Sequence, residues 1–85
     1  MNGEEVQGIS RETVRRVLQA ATVEAFGRPG AYVTRHSVLA RSNISYPEEF
    51  RQVARYLESR GWIAEADDDY GVFVVTYAGI EEAMS

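Results

Sequence analysis

From Phe50 to Gly61 the chain repeats apolar side chains at helical spacing and then stops on a glycine. Phe50, Val53, Ala54 and Leu57 stand at i, i+3, i+4 and i+7, one stripe of an amphipathic helix. Gly61 can take the left-handed conformation that ends such a helix. The pattern then turns β-prone. Trp62-Ile63-Ala64 reads as a strand, Asp67-Asp68-Asp69-Tyr70-Gly71 as a turn, and Val72 to Tyr77 as the return strand. A glycine-closed helix running directly into a two-stranded hairpin is the feature that most limits the fold.

The segments on either side extend this order. Ser10 stands where a helix N-cap belongs, followed by Val14, Val17, Leu18, Ala21 and Ala25 at helical spacing. Gly27, Pro29 and Gly30 stop that first helix, predicted over 10–26. Ala31-Tyr32-Val33 is short and β-prone. Thr34 can cap a second helix over 35–42 that buries Val38 and Leu39, and Ser42-Asn43 fits a turn. Ser45 and Glu48 form an S-x-x-E capping box for the third helix, with Pro47 in its first turn and Arg60 near its end. Thr76 can cap a last helix over Tyr77–Met84. Residues 1–8 read as a flexible lead-in and residues 9–85 as one domain. The predicted architecture is α+β: helix, strand, two helices, two strands, and a short terminal helix.

Charge is unevenly spread. The net charge is −4 over 85 residues, and all nine cations are Arg. Residues 31–60 hold five Arg against three Glu, whereas residues 61–85 hold six acids and no base. The basic segment is thus the pair of central helices, and the acidic segment is the hairpin and tail. Arg suits bidentate contacts to phosphate and guanine. There is no Cys, which excludes disulfides, thiolate nucleophiles and Cys-ligated zinc. No apolar run approaches the ~18 residues of a membrane span, and the polar start lacks the basic and apolar regions of a signal peptide. A cytoplasmic protein with no membrane partner is expected.

The order of L-x-x-x-G-W-I, a hairpin and T-Y-A-G, built on Leu57, Gly61, Trp62, Ile63, Thr76 and Gly79, resembles the winged helix-turn-helix domains of MarR-type and related small transcription regulators. The resemblance covers about Val33–Ile80. The link from Ile44 to Phe50 is about one residue longer than that family's pattern, and the long flanking dimerisation helices of full-length MarR-type proteins have no counterpart.

The resemblance implies a small protein that binds double-stranded DNA and regulates transcription. The third helix would enter the major groove. Glu49, Arg51, Gln52 and Arg55 are then its candidate base contacts, because Arg pairs with guanine, Gln with adenine, and Glu accepts from cytosine. Arg35, His36 and Arg41 on the second helix are candidate phosphate contacts. A homodimer would set its two recognition helices about 34 Å apart.

The turn of the hairpin opposes this reading. Asp67, Asp68, Asp69 and Tyr70 form the wing tip, where such regulators carry basic residues, and DNA would repel these acids. The alternative is a winged helix that binds a protein partner and no DNA. Three consecutive acids in a turn do not converge on one point, so no metal site is expected. His36 is the only His, and no nucleophile, base and orienting group form a recognised motif. Neither catalysis nor a cofactor is expected. Trp62 is read as packing over the base of the hairpin rather than as forming an exposed patch with Tyr56.

Overall fold

The computed structural model describes residues 5–6, 9–44, 46–66 and 71–85. Among the described residues five strands and four helices follow in the order β1 (Glu5–Val6), β2 (Ile9–Ser10), α1 (Arg11–Glu24), β3 (Tyr32–Thr34), α2 (Arg35–Ser42), α3 (Pro47–Ser59), β4 (Ile63–Glu65), β5 (Val72–Val75) and α4 (Tyr77–Met84). The fold is therefore α+β, with α1 packed against α2, α3 and α4. The main sheet is antiparallel and three-stranded, in the order β3-β5-β4. Its register pairs Val33 with Phe73 on one side and Glu65 with Phe73 on the other. β1 and β2 form a separate antiparallel pair that the sequence pattern did not suggest.

The helix starts follow their caps. The Ser10 hydroxyl accepts the Thr13 amide at 3.0 Å, the Thr34 hydroxyl accepts the Ser37 amide at 3.2 Å, and the Thr76 hydroxyl accepts the Gly79 amide at 3.0 Å. Each bond satisfies one of the orphan donors of a helix N-terminus. For α3 the sequence predicts a cap at Ser45, but the helix starts one residue later. Tyr46 is its N-cap, without a side-chain bond, and Pro47 fills the first position, where its missing N–H costs little. Ser45 itself lies outside the described residues.

Two helices end in the same hydrogen-bonded motif. In α3, Trp62 N–H donates to Leu57 C=O and Gly61 N–H to Glu58 C=O, both at 3.0 Å, with Gly61 at φ 77°. In α1, Gly27 N–H donates to Thr22 C=O and Phe26 N–H to Val23 C=O, both at 2.9 Å. This is the Schellman arrangement, whose left-handed residue is usually glycine. In α1 that residue is Phe26, at φ 55°, and Gly27 follows it in the same left-handed region at φ 68°. The Phe26 side chain is 86% exposed, so no packing offsets the strained backbone.

The core holds Val14, Val17, Leu18 and Ala21 from α1, Val38 from α2, Phe50, Val53 and Leu57 from α3, and Ile63, Phe73 and Val75 from the sheet. Ile80 and Ala83 close it from α4. Ile44 and Leu39 pack partly buried at the α2–α3 corner. Ser42 is fully buried there and donates to Val38 C=O at 2.7 Å, so its hydroxyl is satisfied within the helix. Trp62 packs on the core half-buried, edge-on to Tyr56 with ring centroids 6.1 Å apart.

One junction ties the helical core to the sheet. The Thr76 amide donates to Trp62 C=O at 3.0 Å, and its hydroxyl donates to Gly61 C=O at 2.6 Å. Gly79 is buried against the same peptide. A Cβ there would lie 2.1 Å from the Trp62 carbonyl oxygen and 2.9 Å from its carbon. Backbone atoms cannot move aside as a side-chain tip can.

Two substitutions test these backbone assignments with opposite signs. Gly79→Ala is expected to destabilise the domain by about 1–3 kcal/mol, as overpacking in a rigid site does. Phe26→Gly is expected to stabilise it by up to about 1 kcal/mol, the scale of the left-handed penalty less the added freedom of the unfolded glycine. Urea midpoints measure both; equal midpoints for wild type and Gly79→Ala would contradict the junction.

Candidate nucleic-acid interface

The outward side of α3 carries Glu48, Arg51, Gln52, Arg55 and Ser59, all exposed. It is opposite the buried stripe of Phe50, Val53 and Leu57 because an α-helix advances about 100° per residue. Arg51, Gln52 and Arg55 therefore share one solvent-facing surface, as the sequence predicts. Glu49 does not join them. It lies two residues, and so about 200°, from Arg51, and is half-buried on the flank of the helix.

Beside this surface runs a groove of about 420 Å³ between α3 and the sheet. Arg51, Ala54, Arg55 and Glu58 of α3 form one wall, and Ile63, Glu65, Val72 and Phe73 of the hairpin form the other. Arg35, the first residue of α2, also lines it. The topology brings Arg35 there. β3 pairs along β5 with Thr34 opposite Val72, and the next amide, that of Arg35, donates to Gly71 C=O at 2.8 Å. The start of α2 is thereby fixed to the turn end of the hairpin. The Arg35 guanidinium carbon stands 6.0 Å from the centroid of the buried Phe50 ring, within reach of a cation–π contact.

The arginines differ in how far they are neutralised. Arg51 stands 3.9 Å from Glu48 in a solvent-exposed pair, which contributes about 0–1 kcal/mol and leaves the charge available. Arg35 and Arg55 form no ion pair among the described residues. The buried Nε of Arg35 has no hydrogen-bond partner. Arg41 is a different case. The sequence suggests it for phosphate contact, but its Nε donates to Glu24 Oε2 at 2.6 Å, linking the ends of α1 and α2. Its charge is answered within the fold. His36 is exposed on α2 and absent from the groove lining.

Two groove residues escape sequence reasoning. Glu58 follows Arg51 and Arg55 at i+7 and i+3, so its place on that side was open to inspection. Glu65 becomes a neighbour only through the β4–β5 register. The groove thus carries three guanidinium groups and two carboxylates. Asp67, Asp68, Asp69 and Tyr70, which the sequence reading takes as the tip of a wing, lie outside the described residues. Among the described residues, no three His, Asp or Glu side chains cluster to hold a metal ion, and no helix is long and apolar enough to cross a membrane.

No protein-family model, curated protein or solved structure matches this chain.

Proposed function

We propose that this is a winged helix-turn-helix domain that binds double-stranded DNA, with α3 as the major-groove element, and that it acts as a small transcription regulator. The observation that carries the reading is the gathering of Arg35, Arg51 and Arg55, from two helices, onto one groove beside the exposed side of α3. The element order supports it. A two-helix unit, α2 and α3, is followed by the β4–β5 hairpin, and β3 pairs with the hairpin's return strand. Arg51 and Arg55 lie one turn apart on the exposed side of α3, where each guanidinium can meet a base edge or a phosphate. Gln52 adds an adenine-compatible amide on the same surface. The overall negative charge does not prevent binding, because the local field at the docking surface governs approach.

A protein-binding role without DNA is the second reading. It is favoured by the large apolar side chains left on the surface, among them Phe26, Tyr32, Tyr46, Tyr77 and Met84, and by the carboxylates of Glu58 and Glu65 in the groove.

Anisotropy of a labelled mixed-sequence duplex, measured at several salt concentrations, separates the two. DNA binding predicts dissociation constants of roughly 10⁻⁴–10⁻⁶ M that weaken steeply with salt, even without a specific site. Arg51→Ala and Arg55→Ala should each weaken binding by about 1–3 kcal/mol at a base contact, or lower the salt slope by about one at a phosphate contact. Unchanged binding in both variants would remove α3 from the mechanism. No binding by the wild type at low salt would transfer the function to a protein partner.

A further inference from the structure

We infer that the outer edge of β3 is a docking site for an extended acidic peptide of a partner protein, which joins the sheet as a further strand beside Tyr32. This goes beyond the DNA-binding reading and does not rest on it, because β3 contributes no residue to the groove beside α3.

The backbone carries the first part. β3 ends the sheet order β3-β5-β4, so one of its sides meets no strand among the described residues. Along an antiparallel pair, residues alternate between those bonded to the neighbour and those turned away from it. The Arg35 amide bonds Gly71 C=O at 2.8 Å, so Val33, opposite Phe73, is the next bonded position. Tyr32 and Thr34 are therefore turned outward. The other side of β5 has the matching phase. Val72 C=O accepts the Ala66 amide at 3.2 Å, so Val72 and Val74, opposite Thr34 and Tyr32, face β4. Tyr32 thus offers its N–H and C=O at the outer edge, and Thr34 its N–H.

Exposure decides between the two edges of the sheet. The bond from the Thr76 amide to Trp62 C=O turns Ile63 and Glu65 to the outer side of β4 by the same alternation. Ile63 is 5% exposed, and Glu65 carries a charge of the kind that keeps edges from pairing. Tyr32 is 71% exposed, and Tyr32-Val33-Thr34 holds no charge. The β3 edge is the open one.

Side chains define what it accepts. An edge this short offers few backbone bonds, so anchoring side chains supply the rest. Tyr32 shares a sheet face with Val74 and Ala64. A peptide residue opposite Tyr32 stands on that same face, where a β-branched side chain packs well against an aromatic ring. Gly30 N–H donates to Val75 C=O at 3.0 Å at this end of the sheet. The exposed Phe26 precedes that bond by four residues and the exposed Tyr77 follows it by two. From Ala25 to Ala40 the chain holds Arg28, Arg35 and His36 and no Asp or Glu. Arg28 is exposed and forms no ion pair among the described residues. A second copy of this edge would bring like charges together, whereas an acidic peptide meets a complementary field.

The test is amide hydrogen exchange in ¹⁵N-labelled protein at neutral pH, with and without a ten-residue peptide of alternating Glu and Val. A peptide of alternating Lys and Val is the control. With the acidic peptide, exchange at the Tyr32 and Thr34 amides slows about tenfold or more, as bonded amides do. Val33, already facing β5, changes little. Tyr32→Pro removes the outward N–H, a change that an edge strand tolerates, and lowers peptide affinity about tenfold. Thermal melting checks its fold. Arg28→Glu keeps the backbone and reverses the charge, so it weakens the acidic peptide and strengthens the basic one.

No slowing at Tyr32 and Thr34 with millimolar acidic peptide overturns the site. Equal binding of the basic peptide overturns the acidic assignment. Slowing that grows with protein concentration in the absence of peptide gives the edge to a second copy and overturns the proposal. A short duplex added to the peptide-saturated protein separates the two readings: shifts in α3 alongside protection of Tyr32 support both, and protection of Tyr32 with α3 unmoved supports the edge and removes DNA binding alone.

Discussion

The closest constraint in this molecule is the approach of Gly79 to the Trp62 peptide, and much of the architecture is arranged around it. Gly61 turns the chain out of α3 in the left-handed conformation, which directs the Trp62 carbonyl toward the end of the hairpin. Thr76 binds that turn twice, through its amide to Trp62 and through its hydroxyl to Gly61, and then caps α4. The cap is what brings Gly79 against Trp62 C=O, where no Cβ fits. Helix end, hairpin base and helix start therefore share a single set of backbone bonds. The sequence elements G-W-I and T-Y-A-G, fifteen residues apart at Gly61 and Thr76, are two halves of one contact.

The groove is a consequence of that geometry. With β4 leaving directly from the end of α3 and β5 returning beside it, the hairpin stands next to the outward side of the helix. β3 then pairs on the far edge of β5, and its continuation into α2 delivers Arg35 to the turn end of the hairpin. The arginines are positioned by rigid elements rather than by loops, which is what precise recognition of a phosphate or base edge requires. An acidic chain can in this way hold a local cationic site, with Glu58 and Glu65 limiting its extent.

Much of the fold was legible in the sequence because its signals are local. α2 and α4 begin at threonine caps that bond the third amide along, so Thr34 and Thr76 marked them. The stripe of Phe50, Val53 and Leu57 marked the buried side of α3 and, by exclusion, the side presenting Arg51, Gln52 and Arg55. What escaped depends on tertiary context. Phe26 takes a conformation that residue type disfavours, so Gly27 looked the better stop. Tyr46 caps α3 without a side-chain bond, against the S-x-x-E pattern. Arg41 looked like a free cation until the approach of α1 placed Glu24 beside it. Glu49 read as exposed by type, although its angular position puts it on the flank. The union of Arg35 with Arg51 and Arg55 required the β3–β5 pairing, a contact between distant residues that no local pattern encodes.

The most direct test of the functional account is a map of backbone amide shifts as a short mixed-sequence duplex is added at low salt. The account predicts that shifts concentrate on Arg51–Arg55 and on the start of α2, that α1 and α4 are left nearly unmoved, and that added salt reverses them. Shifts centred instead on Phe26, Tyr32 and Tyr77, or a spectrum unchanged at millimolar duplex, would contradict it.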